Sequence, residues 1–128
     1  MKTDSVSLQM EELLDEVSQE VQEATDEGIR KTADDAVQML RNTSPRSKGP
    51  NGGRYAKGWA VKATGPWSRV VYNKTDWQLT HLLENGHIVK PHPKHPGKKN
   101  RVEGIKHIAP VEEWAADELP IRISRGLS

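Results

Sequence analysis

The sequence predicts an α+β fold: a long N-terminal helix and a C-terminal helix packed on a small antiparallel β-sheet, with one short helix inserted after the first hairpin. Three observations predict it. Between residues 8 and 41 apolar side chains recur at steps of three and four, the period of one helix face. Two segments of alternating pattern, 57–64 and 67–73, flank Gly65-Pro66, a turn dipeptide. Pro110 stands where a helix tolerates a missing N–H, and Glu112 and Glu113 follow in the turn that favours acids. The 128 residues suit a single domain, 1–128.

The elements follow in chain order. The run Leu8, Met10, Leu13, Leu14, Val17, Val21, Ala24, Ile29, Ala33, Ala36, Val37 and Leu40 predicts one helix over 8–41. Gly28 is its weak point, costing up to about 1 kcal/mol relative to Ala. Pro45 and Pro50 with Gly49, Gly52 and Gly53 make 42–56 a basic Gly/Pro loop. The hairpin spans 57–73, with Trp59 and Val61 on one face of its first strand and Val71 opposite Val70 and Tyr72 on its second. Asp76 is expected to cap a short helix, 76–85, whose apolar face is Leu79, Leu82 and Leu83. Gly86 sits where a left-handed residue ends such a helix. A third strand begins at 87–90, a basic loop covers 90–103, and 104–108 offers a returning strand. The last helix covers 110–119, and Pro120 is expected to end or kink it; the tail beyond reads equally as helix or strand.

Composition narrows the function. Only 34% of residues are apolar and 29% are charged, a thin stock for a core, so help from neighbouring subunits is expected. There is no Cys, hence neither a disulfide framework nor a thiolate zinc site. No apolar run approaches the roughly 20 residues that span a bilayer. The N-terminus is acidic with no apolar stretch of a secretory signal, so synthesis in the cytoplasm is expected. The net charge of +1 conceals a split. Residues 1–40 carry three bases against eleven acids, a net of −8; residues 41–110 carry fourteen bases against three acids, a net of +11; residues 111–128 carry two bases against four acids, a net of −2. Such asymmetry suits nucleic acid, or an acidic surface on one subunit meeting a basic one on the next.

Residues with chemical potential do not converge. His87, His92, His95 and His107 lie close in sequence, and imidazole binds zinc. However, their H-x4-H-x2-H core runs through Pro91, Pro93 and Pro96 beside Lys94, Lys98 and Lys99, which favours a basic surface loop over a metal site. Ser44, Ser47 and Ser68 lack a G-x-S-x-G elbow. GPNGG lacks the Lys-Ser/Thr of a phosphate-binding loop. The pairs Glu11/Glu12, Asp34/Asp35 and Glu112/Glu113 are helical neighbours, which point apart. No catalytic, cofactor or metal residue is assigned, and no cofactor is expected. The candidates for interface or DNA contact are Arg46, Lys48, Arg54, Lys57, Lys90, Lys94, Lys98, Lys99 and Arg101 from the basic middle, with Asp34 and Asp35 on the acidic helix. No helix-turn-helix or zinc-finger pattern accompanies them, so any DNA contact would be non-specific.

Three blocks carry a resemblance: GRYAKGW at 53–59, VYNKTDWQLTHLLENGH at 71–87 and KHIAPVEE at 106–113, in that order behind the acidic helix. From about residue 8 to 118 the chain resembles a family of small tail-component, or head–tail joining, proteins of long-tailed double-stranded-DNA phages and prophages. The resemblance implies a structural virion protein rather than an enzyme. It implies a neck or tail-completion ring between the portal-side connector and the tail tube. It implies a homo-oligomer of six- or twelve-fold symmetry, with connector and tail-tube or tail-terminator proteins as partners, and no membrane. His81, Leu82, Glu84, Asn85 and Gly86 then look like fold determinants. The alternatives are a tail terminator of the same assembly and a non-specific nucleic-acid-binding protein.

Overall fold

A computed structural model of the chain describes residues 5–9, 18–47, 49–50, 52–89 and 100–127. Among the candidate residues, Lys48, Lys90, Lys94, Lys98 and Lys99 lie outside them, as do His92 and His95.

The architecture is α+β. A strand, β1 (Val6–Gln9), precedes the long helix α1 (Gln19–Thr43). A single-turn helix, α2 (Arg54–Lys57), leads into β2 (Trp59–Gly65) and β3 (Ser68–Asn73). A 3-10 turn (Trp77–Leu79) passes into α3 (Thr80–Asn85). Next come β4 (Gly86–Val89), β5 (Asn100–Glu103) and the last helix, α4 (Ile108–Gly126). The antiparallel strands form two sheets, one in the order β1-β3-β2 and a separate β4-β5 pair.

The first correction concerns the N-terminal helix. Its expected start at residue 8 is wrong, because Val6–Gln9 pairs with β3 and the helix begins at Gln19. Val6 and Leu8 are buried while Ser7 between them is exposed, a period of two that pairing across the sheet exploits. Ser18 supplies the start signal: its Oγ accepts a hydrogen bond from the Val21 N–H at 3.4 Å. Residues 10–17 of the expected helix lie outside the described residues.

The core lies between the three-stranded sheet and the two long helices. Opposed residues on antiparallel strands share a face. Register sets Val6 and Val61 opposite Val71, and Trp59 opposite Asn73. Against this face α1 turns Ile29, Ala33, Ala36, Val37 and Leu40, and α4 adds Ile108, Val111, Ala115 and Leu119. At the other end of the contact Gly28 admits α4 closely. A Cβ built there would lie 2.8 Å from Ile123 Cγ1, so the residue that weakens α1 as a helix is the one that lets α4 approach. Arg122 on α4 then pairs with Asp35 on α1 at 2.7 Å.

Other element boundaries differ for local reasons. Arg54, Tyr55 and Ala56 belong to a helical turn rather than to the loop 42–56, because Tyr55 and Ala56 are drawn into the core. Asp76 does not cap the short helix with its side chain. Asn73 Oδ1 takes the N–H groups of Thr75 and Asp76 at 3.2 and 2.8 Å, and the Asp76 carboxylate faces Arg54 instead. The returning strand is Asn100–Glu103, not 104–108. The last helix starts at Ile108 and runs through Pro120 to Gly126. Pro120 is exposed, so its ring meets no packing obstacle, and the turns beyond it are held by the Ile123 and Arg122 contacts with α1.

Candidate functional site

The centre of the molecule is tied by a buried carboxylate. Glu84 lies in the last turn of α3 and is fully enclosed. Its Oε1 accepts the backbone N–H groups of His107 and Ile108, both at 2.8 Å, and its Oε2 accepts that of Ala109 at 3.0 Å. These are N–H groups at the start of α4, which lack partners inside their own helix. One short helix therefore caps another from outside. This explains why α4 begins two residues before Pro110. Burial alone would raise the Glu84 pKa, but the three N–H donors and the nearby His107 outweigh it and hold the carboxyl below its ordinary value.

His107 extends the network. Its Nδ1 stands 2.6 Å from the Ile105 carbonyl and 2.9 Å from Glu84 Oε1. Its Nε2 stands 2.7 Å from the Tyr55 hydroxyl. The Ile105 carbonyl and the Glu84 carboxylate are both acceptors, so Nδ1 donates here. The Tyr55 pKa is pushed well above its ordinary range by burial and by the Glu84 and Asp76 charges, so the hydroxyl keeps its proton and donates. The Tyr55, Trp59 and His107 rings meet edge to face at 5.6–6.4 Å. Trp59 Nε1 donates to Ser44 Oγ at 2.8 Å. Tyr, His and Glu in one chain are groups that move protons in enzymes, yet here every polar atom is spent on holding elements together. The Glu84 and His107 side chains are enclosed.

Around Gly86 the backbone is as specialised. Its φ is positive as expected, at +82°, but its ψ of 173° is extended rather than left-handed helical. A Cβ there would lie 2.5 Å from the Val102 carbonyl oxygen and 2.7 Å from the Gly104 nitrogen. Asn85 holds the same junction through its carbonyl, which accepts from Arg101 at 2.9 Å, and its Oδ1, which accepts from Lys106 at 2.7 Å. Glu84, Asn85 and Gly86 thus fix the fold, whereas His81 and Leu82 are exposed.

The charged candidates divide between two grooves. Arg46, Arg54 and Lys57 are exposed and come together at the turn that precedes α2: Arg46 Nη1 and Lys57 Cε both flank Gly53. Beside them a groove of about 400 Å³ is walled by Pro45, Tyr55, Leu79 and Leu83, with Arg46 and Arg54 among its lining. Arg54 faces Asp76 at 3.5 Å, and Arg46 donates to the Arg41 carbonyl at 3.0 Å. Arg101 is remote from this cluster in sequence and bonds Glu103 and Asn85. Asp34 and Asp35 lie across the molecule in a groove of about 540 Å³ between α1 and α4, with Arg122 and Arg125. Asp34 is exposed, but Asp35 is engaged by Arg122 within the same chain.

Sequence reasoning gave no role to Tyr55 and His107 as a pair, and it missed the Leu79–Leu83 groove. The first had no local signal, since Tyr55 and His107 stand 52 residues apart and meet only in the fold. The groove had none either, since Pro45 and Leu83 meet only in the fold.

Among the described residues no helix is long and apolar enough to cross a membrane. No curated protein and no solved structure matches the chain. A family described as "Bacteriophage HK97-gp10, putative tail-component" matches residues 9–86, a span from the end of β1 to the first residue of β4 that includes α1, both arginines of the groove, Glu84 and Gly86. The chain belongs to this HK97-gp10-like family of bacteriophage tail components.

Proposed function

We propose that the protein is a neck or tail-completion component that joins the portal-side connector to the tail tube as a homo-oligomeric ring. A tail component has other virion proteins as neighbours, and the finer placement at the neck rests on how charge is laid out in the fold. The observation that carries it is an acidic surface on α1 followed, past its C-terminal end, by a basic cluster. Glu20, Glu23 and Asp34 are exposed on α1, while Arg46, Arg54 and Lys57 cluster just past its C-terminal end. A surface of this kind pairs with a translated copy of itself. Such head-to-tail contact closes into a ring when the rotation between copies allows it. Charge there sets orientation and suppresses wrong pairings more than it adds affinity.

The enclosed Tyr55–His107–Glu84 network supports a structural role over an enzymatic one, since its polar atoms are consumed internally. Non-specific contact with passing DNA is a secondary role for the basic loops, through phosphates rather than bases. Deleting the gene from the phage tests the main reading. The expected result is the accumulation of complete heads and complete tails that remain unjoined. Normal tailed particles, or tails of aberrant length on intact heads, would count against a joining role; the latter would favour a terminator.

A further inference from the structure

The helices α1 and α4 pack on one side of the β1-β3-β2 sheet and leave its other side uncovered. Strand alternation puts Ser7, Ala60, Lys62, Val70 and Tyr72 on that outer side, since Val6, Leu8, Trp59, Val61 and Val71 between them face the helices. A sheet face turned to water is ordinarily polar. Here Ala60, Val70 and Tyr72 form an apolar centre, all three half-buried, and Lys62 lies over the Tyr72 ring at 4.8 Å. Lys74, one residue past β3, is exposed and its N–H bonds the Gly58 carbonyl beside the start of β2. This face carries bases and no acid.

The outer side of α4 is its complement. Ile108, Val111, Ala115 and Leu119 turn inward, so Glu113, Ala116, Asp117, Pro120 and Ile121 point away from the core and are exposed. A helix face turned to water is ordinarily charged or polar. Ala116, Pro120 and Ile121 make this one small-featured and apolar, with Ile121 46% exposed. Its charges are Glu113 and Asp117, and neither pairs with a base among the described residues. We propose that the outer face of α4 in one copy covers the outer face of the β1-β3-β2 sheet in the next, with Glu113 and Asp117 toward Lys62 and Lys74. This rests on the ring reading above and names a contact that would build it.

The two faces cannot meet within one chain. α4 lies on the inner side of the sheet, where Val111 and Leu119 share a core with Val6 and Val71. Its outer side therefore faces away from its own sheet, and the sheet's outer side faces away from α4. The faces stand on opposite sides of the subunit, so a contact between them joins different copies. A helix laid on a sheet face is a stable way for each to bury its apolar side. Charge decides which face meets which: two sheet faces together would oppose lysine to lysine, and two helix faces acid to acid. A symmetric dimer through either face is thereby disfavoured, and the contact that remains is head-to-tail, the form that closes into a ring.

The test uses sedimentation velocity at low salt on the purified full chain and two charge-reversed double variants, all at exposed positions. Glu113→Lys with Asp117→Lys makes the helix face basic, and Lys62→Glu with Lys74→Glu makes the sheet face acidic. Circular dichroism checks that each variant folds. The expected result is that the wild type self-associates and that each variant alone is weakened by about tenfold or more. An equal mixture is expected to regain assemblies larger than a dimer, because a subunit with two basic faces alternates with one that has two acidic faces. High salt should shrink the differences. If a reversed variant fails to fold, Glu113→Gln with Asp117→Asn and Lys62→Gln with Lys74→Gln replace the pair, and self-association of both equal to that of the wild type overturns the proposal. Reversed variants that assemble like the wild type overturn it too, in which case the ring survives with another interface. Weakened variants that the mixture does not rescue show that the two faces do not meet each other, which again overturns it. A wild type that stays monomeric overturns it as well, and leaves the ring reading to imaging of the virion.

Discussion

Glu84 is the residue on which most depends. Its carboxylate serves three backbone N–H groups that nothing else satisfies. Glu84→Gln keeps the shape but turns an NH₂ toward one or more of those donors. The predicted loss is about 2–4 kcal/mol, the scale of breaking charge-assisted bonds and leaving buried donors unpaired, read as a lowered midpoint in urea at pH 7. The pH dependence follows from the direction of the shift. The folded pKa lies below the ordinary 4.5, so the unfolded chain binds the proton first as pH falls. The Glu84 contribution is therefore fully present above 4.5 and is lost as pH falls through the depressed folded value. We predict that the gap between wild type and Glu84→Gln shrinks steadily below pH 4.5. A gap that is constant down to pH 3 would contradict this assignment. Gly86 is a second critical residue, since its φ of +82° with extended ψ is a conformation used almost only by glycine, and the space for a Cβ is already filled by β5 backbone. Gly86→Val is predicted to cost well over 1 kcal/mol, and an unchanged melting temperature would refute that.

At the scale of elements, the contact between α1 and α4 makes two opposed predictions. Gly28→Val places a branched side chain where Ile123 already packs, and should destabilise by about 1–3 kcal/mol despite its better helix propensity. Pro120→Ala restores a backbone N–H inside α4 at an exposed position, and should raise the melting temperature. Thermal unfolding of both variants checks the pair. These elements also show what the sequence could reveal. The apolar spacing of α1 from Ala24 to Leu40, the alternation of β2 and β3, and the glycine after LLEN were legible because each depends on local geometry alone. The start of α1 was not. Val6 and Leu8 stand two apart, a strand spacing, but Leu8 also opens the apolar series read as helix, and pairing with β3 decides between them. The run of α4 through Pro120 was likewise illegible, because its support comes from Asp35 and Gly28 on a helix more than 80 residues earlier in the sequence. The groove was hidden for the same reason: Pro45, Tyr55, Leu79 and Leu83 are brought together by the Glu84 and Asn73 anchors, which no pattern in sequence announces.

For the whole molecule the question is how charge is used. Asp34 and Asp35, adjacent in sequence, are separated in role. Asp35 pairs with Arg122 inside the subunit, and Asp34 is exposed in the same groove. Reversing both together would confuse stability with assembly. Asp35→Lys alone is predicted to lower stability by no more than about 1 kcal/mol, as for other partly exposed pairs. Asp34→Lys is predicted to leave the melting temperature unchanged and to slow or weaken association of subunits at low salt, with the difference disappearing in high salt. Association of Asp34→Lys equal to that of the wild type at low salt would mean that the acidic face of α1 is not part of the contact. The small core, the divided charge and the basic-lined groove fit a subunit that completes itself against its neighbours. The most direct test of that account is to locate the protein in purified phage particles by electron cryomicroscopy. The account predicts a closed ring of this fold at the junction of head and tail. Its absence from that junction, or its presence only along the tube or at the tail tip, would contradict it.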